Sequence, residues 1–179
     1  MAKRFDRPLK KSPKADPQRE RVYRMENEAI GARMYAKLTR PTTRALIRSV
    51  CRSYGVPAPK VEWTDRLGRW AAEWDPTGKR CRIRLNKKKG MSRDIVTVTH
   101  ELAHHLQHYL GGEASFTQED HGPEFMACHM SILDMLRVVA VQGMRAICDA
   151  WDVKYIDPGT EVSLPRLKRI CLGSNSPQH

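Results

Sequence analysis

The sequence predicts an α+β fold in which a small antiparallel or mixed sheet packs on helices. Three observations lead there. Stretches at 60–64, 69–74 and 80–86 read as short strands, the last two alternating apolar and polar side chains. Stretches with apolar residues at helical spacing flank them, near 41–54 on one side and near 92–110 and 123–141 on the other. The 179 residues are enough for one core with tails, and the five scattered cysteines (Cys51, Cys81, Cys128, Cys148, Cys171) argue against a disulfide framework.

Taken in order, residues 1–20 set Lys3, Arg4, Arg7, Lys10, Lys11 and Lys14 among Pro8, Pro13 and Pro17, too polar and proline-broken to pack. Residues 22–38 read as a basic, weakly amphipathic helix. A clearer helix starts at Pro41-Thr42-Thr43, with Leu46, Ile47 and Val50 inward and Arg44, Arg48 and Arg52 outward, and stops at Gly55-Val56-Pro57. Trp70, Ala72 and Trp74 share one strand face, and Cys81, Ile83 and Leu85 another. Asp75-Pro76-Thr77-Gly78 joins these strands as a hairpin turn. Trp63, Trp70 and Trp74 are expected to pack on the helices rather than stack on unpaired bases. Residues 147–156 read as a strand or an irregular packing segment around Trp151, Val153, Tyr155 and Ile156. A short amphipathic piece at 164–172 and a polar tail follow. The expected organisation is a disordered basic tail (1–20), one domain (21–157) and a partly disordered extension (158–179).

The chemistry is concentrated in His100-Glu101-Leu102-Ala103-His104. On a helix the two histidines are one turn apart, so both imidazoles leave the same face and can grip one cation. Glu101 points about 100° round the axis, close enough to polarise a water on that cation without being a ligand. Gly90-Met91-Ser92 supplies a turn and N-cap, Asp94 a charge in the first turn, and Gly111-Gly112 a stop. Ile95, Val98, Leu102, Leu106 and Tyr109 form a core face nearly opposite His100 and His104. A catalytic zinc site takes three protein ligands and leaves one position open. His105 sits about 140° from His100 on the wheel, and the Cα of His108 lies about 12 Å along the axis, so neither completes the set. His121, just before Gly122-Pro123 at the start of the next helix, is the preferred third ligand, with Glu113, Glu119 and Glu124 as alternatives. His129, about two turns further on, reads as a core or surface histidine before a residue supporting the site. Strands leading into such a helix fit a zincin. The strand at 80–89 is then the edge to which an extended substrate adds, with Arg80, Arg82 and Arg84 beside the cleft.

Together with Asp120-His121-Gly122-Pro123-Glu124-Phe125, sixteen residues beyond His104, the motif resembles the SprT-like (Spartan-type) zinc metalloproteases over roughly residues 42–136. In that family the third histidine opens an H-G-x-x-F segment before a helix. The resemblance implies His100, His104 and His121 as Zn2+ ligands, Glu101 as general base, and cleavage of proteins bound or cross-linked to DNA. Many relatives add a C-terminal Cys-x-x-Cys zinc ribbon, and no C-x-x-C pattern occurs in these 179 residues.

The charge is divided unevenly. Residues 1–60 carry 16 basic and 5 acidic side chains, residues 61–90 carry 9 and 4, and residues 91–157 carry 4 and 10. Such polarity suggests an acidic partner approached from one side, with DNA leading and Arg44, Arg48, Arg52, Arg80, Arg82, Arg84, Lys87, Lys88 and Lys89 as candidate contacts. No apolar h-region and no membrane-length apolar stretch occur, so an intracellular setting, in the cytoplasm, nucleoid or nucleus, is expected. The expected activity is zinc-dependent peptide hydrolysis on protein substrates in association with DNA. The rival from another class is a zinc-stabilised nucleic-acid or protein-binding module with vestigial or highly specific proteolysis.

Overall fold

The computed structural model describes residues 16–30, 37–77, 81–110 and 120–158. In chain order these form α1 (Arg19–Met25), continued by a π turn (Glu26–Ile30), then α2 (Arg40–Ser53), β1 (Lys60–Thr64), β2 (Ala72–Asp75) and β3 (Arg82–Asn86). A 3-10 turn (Gly90–Arg93) leads into α3 (Ile95–Leu110), followed by α4 (Pro123–Met135) and α5 (Val141–Ala150). The α+β class is as expected, with a small mixed sheet. Of the expected segments, 1–15, residues 31–36 of the helix expected over 22–38, Gly78 of the hairpin turn, Arg80, Gly111-Gly112 and 159–179 lie outside the described residues.

Local chemistry explains most boundaries. Thr39 caps α2 by accepting the Thr42 N–H, and Pro41 sits in the first turn, where its missing donor costs nothing. Ile47, Val50 and Cys51 face inward, while Arg44, Arg48 and Arg52 are exposed. After β2, the Asp75 side chain accepts the Thr77 N–H at 2.8 Å, a local side-chain turn at the strand end.

Strand order differs from the sequence expectation. β3 is central, parallel to β1 on one side and antiparallel to β2 on the other. Its backbone is paired on both sides and cannot receive an added strand. Among the described residues, the free edge beside α3 belongs to β2. The Asn86 N–H bonds the Ala71 carbonyl at 2.9 Å. By the alternation of an antiparallel ladder, the backbone groups of Ala72 and Trp74 therefore face away from β3.

Helix ends account for the other differences. The helix expected to reach residue 141 stops at Met135. Arg137 takes φ 55°, the Val138 N–H bonds Leu133 O and the Arg137 N–H bonds Asp134 O, each at 2.8 Å. This is a Schellman end with arginine where glycine is usual. Asp152 (φ 51°) ends α5 in the same way, and Gly55 (φ 63°) ends α2. Only the last has a residue that announces it. The expected N-cap also shifts: Ser92 lies within the 3-10 turn with its hydroxyl on Asn86 O at 2.6 Å. Asp94, still extended, instead opens α3, its carbonyl accepting the Val98 N–H at 3.1 Å.

α3 is the central element and is buried on nearly every side. Val98, Leu102 and Leu106 meet Phe125, Met126, Met130 and Leu133 of α4, with Ile83 and Leu85 of β3 and Val22, Met25 and Ile30 of the N-terminal segment closing the core. His105, fully buried, donates to Pro57 O at 2.8 Å and serves packing, in line with its exclusion as a ligand.

Candidate metal centre

α3 carries His100 and His104 one turn apart on the side turned toward α4. His121 is set by the turn ahead of α4, where Gly122 is extended and Pro123 begins the helix. The result is a cluster in which one ligand atom from each of His100, His104 and His121 lies within 4.8 Å of the others. Among the described residues it is the one group of this kind. Glu124 stands in the first turn of α4 outside the cluster, and Glu113 and Glu119 lie outside the described residues.

The donor set fits a small divalent ion. His100 Nε2 and His121 Nε2 face each other at 3.1 Å. Two imidazoles on one tetrahedral zinc would place these atoms about 3.3 Å apart, given Zn–N near 2.0–2.1 Å. The opposite nitrogens are already engaged. His100 Nδ1 lies 2.8 and 2.9 Å from the two Glu26 carboxylate oxygens, and His121 Nδ1 lies 2.6 Å from Asp16 Oδ2. With Nδ1 donating, each Nε2 keeps its lone pair for a metal. Phe125, fully buried, sets its ring 4.5 to 5.0 Å from all three imidazoles and forms an apolar floor.

Glu101 is buried beside the cluster. Burial pushes its carboxyl up to about 7 and the charge of Glu26 adds to the rise, while His100 and the Trp74 backbone N–H oppose it. A carboxylate near 7 is matched to proton transfer at neutral pH. Glu101 and His100 line a cavity of about 210 Å³, whose walls include Tyr23, Trp70, Ala72, Met91 and Val96.

Several of these residues carry no motif in the sequence. Tyr23 stacks on His100, centroids 5.2 Å apart at 20°, and its ring lies 5.1 Å from His121. Burial, with the charge of Glu101, pushes its phenol up to about 12, so it stays a proton donor. Burial opposes the charge of Glu26, but His100 and His129 more than offset this and bring it to about 2. His129 is fully buried, with Nδ1 3.1 Å from Glu26 and Nε2 3.1 Å from the Thr99 hydroxyl, which itself donates to Val96 O. It supports the site from behind and does not face the cavity. Away from the cluster, Tyr109 sets its hydroxyl 3.7 Å from Cys81 Sγ and Tyr155 bonds Asp149 on α5.

The basic residues separate into two groups. Arg44, Arg48 and Arg52 form an exposed stripe on α2, and Lys87, Lys88 and Lys89 are exposed after β3. Arg82 and Arg84 are turned instead to Asp75 Oδ2, at 3.0 and 2.7 Å, and Arg84 also approaches Glu73 at 3.4 Å. Trp63 and Trp74 pack against the core, and Trp70 is 45% exposed.

Helices on a small mixed sheet, with three convergent imidazoles and a buried carboxylate, define a candidate metal-binding α+β domain. A model of the SprT-like family matches residues 39–143, more than half of the chain, and the chain belongs to that family. No curated protein and no solved structure matches it.

Proposed function

We propose that the chain is a zinc-dependent metallopeptidase of SprT-like type, built on a zincin-like domain and acting on protein substrates in association with DNA. The observation that carries this reading is the convergence of His100 and His121 Nε2 atoms, 3.1 Å apart, beside a buried Glu101 raised to about 7. A purely structural site has no use for a proton acceptor there.

In this reading His100, His104 and His121 hold the ion. When bound, it supplies Lewis acidity that lowers the pKa of a water toward about 7 and polarises a carbonyl. Glu101 takes the proton from the attacking water and delivers it to the leaving amine. Tyr23, a protonated phenol packed on two of the imidazoles, is assigned the hydrogen bond that stabilises the developing oxyanion. An extended substrate lies along β2, where the backbone groups of Ala72 and the carbonyl of Trp74 face outward. The exposed arginines of α2 and Lys87 to Lys89 supply the nucleic-acid face. The catalytic unit reaches from the N-terminal helix to about residue 157. Among the described residues no helix is long and apolar enough to cross a membrane, and an intracellular setting is part of the proposal.

The test is cleavage of casein or histone by zinc-loaded protein, with and without single-stranded DNA, beside Glu101→Gln. DNA-stimulated cleavage that falls by about 10²-fold or more in a variant retaining its zinc supports the reading. Zinc and DNA binding without cleavage would replace it with a binding module.

A further inference from the structure

The strongest unexplained feature of the site is where its supporting carboxylates come from. Residues 16–30 lie outside the stretch that matches the family, 39–143. They nevertheless act as a strap. Val22, Met25 and Ile30 are buried in the core. Gln18, 2% exposed, donates to the carbonyls of His121 and Lys154 and accepts the Lys154 N–H at 2.8 Å. The strap thereby ties the turn that presents His121 to the segment after α5.

On this frame stand two acids aimed at ligand rings. Asp16 Oδ2 meets His121 Nδ1 at 2.6 Å, and both Glu26 oxygens meet His100 Nδ1 at 2.8 and 2.9 Å. Glu26 also opens the π turn, a rare widening of the helix that recurs at functional sites. A carboxylate 5% exposed among apolar neighbours is costly unless it is satisfied. Here its partners are His100 and His129. An imidazole whose Nδ1–H is held by a carboxylate has one tautomer, one ring orientation and a more basic Nε2.

We propose that the metal centre is composite: Asp16 and Glu26, from outside the family-matched region, are positioning residues that fix His121 and His100 for the ion. This rests on the reading of the three imidazoles as ligands. The alternative, that the acids only anchor the strap, leaves metal binding independent of them once the chain has folded.

The experiment titrates the full chain with Zn2+ against a chromogenic chelator, and with Co2+ for its ligand-field spectrum. The proteins are wild type, Asp16→Asn, Glu26→Gln and Glu26→Ala, with His104→Ala as the ligand control. Zinc affinity should fall about 10–100-fold in Glu26→Ala, with Asp16→Asn and Glu26→Gln each between that loss and wild type, because an amide oxygen still accepts the Nδ1–H. The Co2+ spectrum should change in the same order. Wild-type affinity and spectra in all three variants would overturn the proposal and leave the ligand reading standing. Failure of the wild-type chain to bind one zinc would overturn both. Should Glu26→Ala not fold, Asp16→Asn decides alone, as its carboxylate lies at the start of the strap outside the apolar core.

Discussion

The indole of Trp74 lies nearly parallel to the imidazole of His104, ring centroids 6.1 Å apart and planes 19° apart. The backbone N–H of the same residue reaches Glu101. The edge strand therefore touches the metal-facing helix through a side chain and through its main chain at one residue. Trp74→Ala should lower stability by about 3 kcal/mol in urea titrations and reduce kcat/KM, while Trp74→Phe keeps most of both. An alanine variant with wild-type stability would show that the stack is incidental.

Tyr23→Phe removes one hydroxyl and leaves the ring on His100 and His121. If the phenol serves the oxyanion, kcat should drop about 10²-fold with KM and zinc affinity unchanged. A fall in zinc affinity with unchanged kcat on the loaded enzyme would reassign Tyr23 to packing.

Asp75 links two strands through Arg82 and Arg84. Burial opposes its charge, but Thr77 and the two arginines outweigh burial and hold its carboxyl below the ordinary range. A depressed carboxylate contributes stability that is present above the unfolded value, about 3.9, and lost as pH falls through the folded one. Asp75→Asn should therefore cost about 2 kcal/mol at pH 7. The Tm gap to wild type should begin to close below about pH 3.9 and vanish only below the folded value. A gap that stays constant from pH 7 to pH 2 would contradict this account.

The two arginine groups should separate experimentally. Replacing Arg44, Arg48 and Arg52 together by Glu should weaken single-stranded DNA binding at least tenfold and flatten the salt dependence by about two units of slope, at about 0.7 per phosphate contact. Replacing Arg84 by Ala should lower Tm with little change in DNA affinity, since its charge is already spent on Asp75 and Glu73. Fluorescence anisotropy across a salt series reads both. Equal losses from the two replacements would erase the distinction.

What the sequence reveals of the site follows from distance along the chain. His100 and His104 are legible because four-residue spacing is itself a geometry, and His121 because Gly122-Pro123 marks a helix start. Glu26 lies 74 residues from His100 and Asp16 lies 105 from His121, so no local pattern joins them. Asp16 and Gln18 even fall in a segment whose composition reads as an unpacked tail. The same holds for the sheet. Alternation locates β2 and β3, but the parallel partner that makes β3 central is a long-range choice. Arg137 and Asp152 end helices in a conformation usually marked by glycine, which hides α5 from a reading based on helix stops.

The three imidazoles come from α3 and from the turn ahead of α4, two pieces of chain that no disulfide joins among the described residues. A shared ion would be their cross-link, and its free concentration would then help to set how long the fold survives. Above the dissociation constant, each tenfold rise in free zinc adds about 1.4 kcal/mol to the folded state. Zinc supply would govern the lifetime of the protein as well as its activity, and a competing chelator would act first as a denaturant.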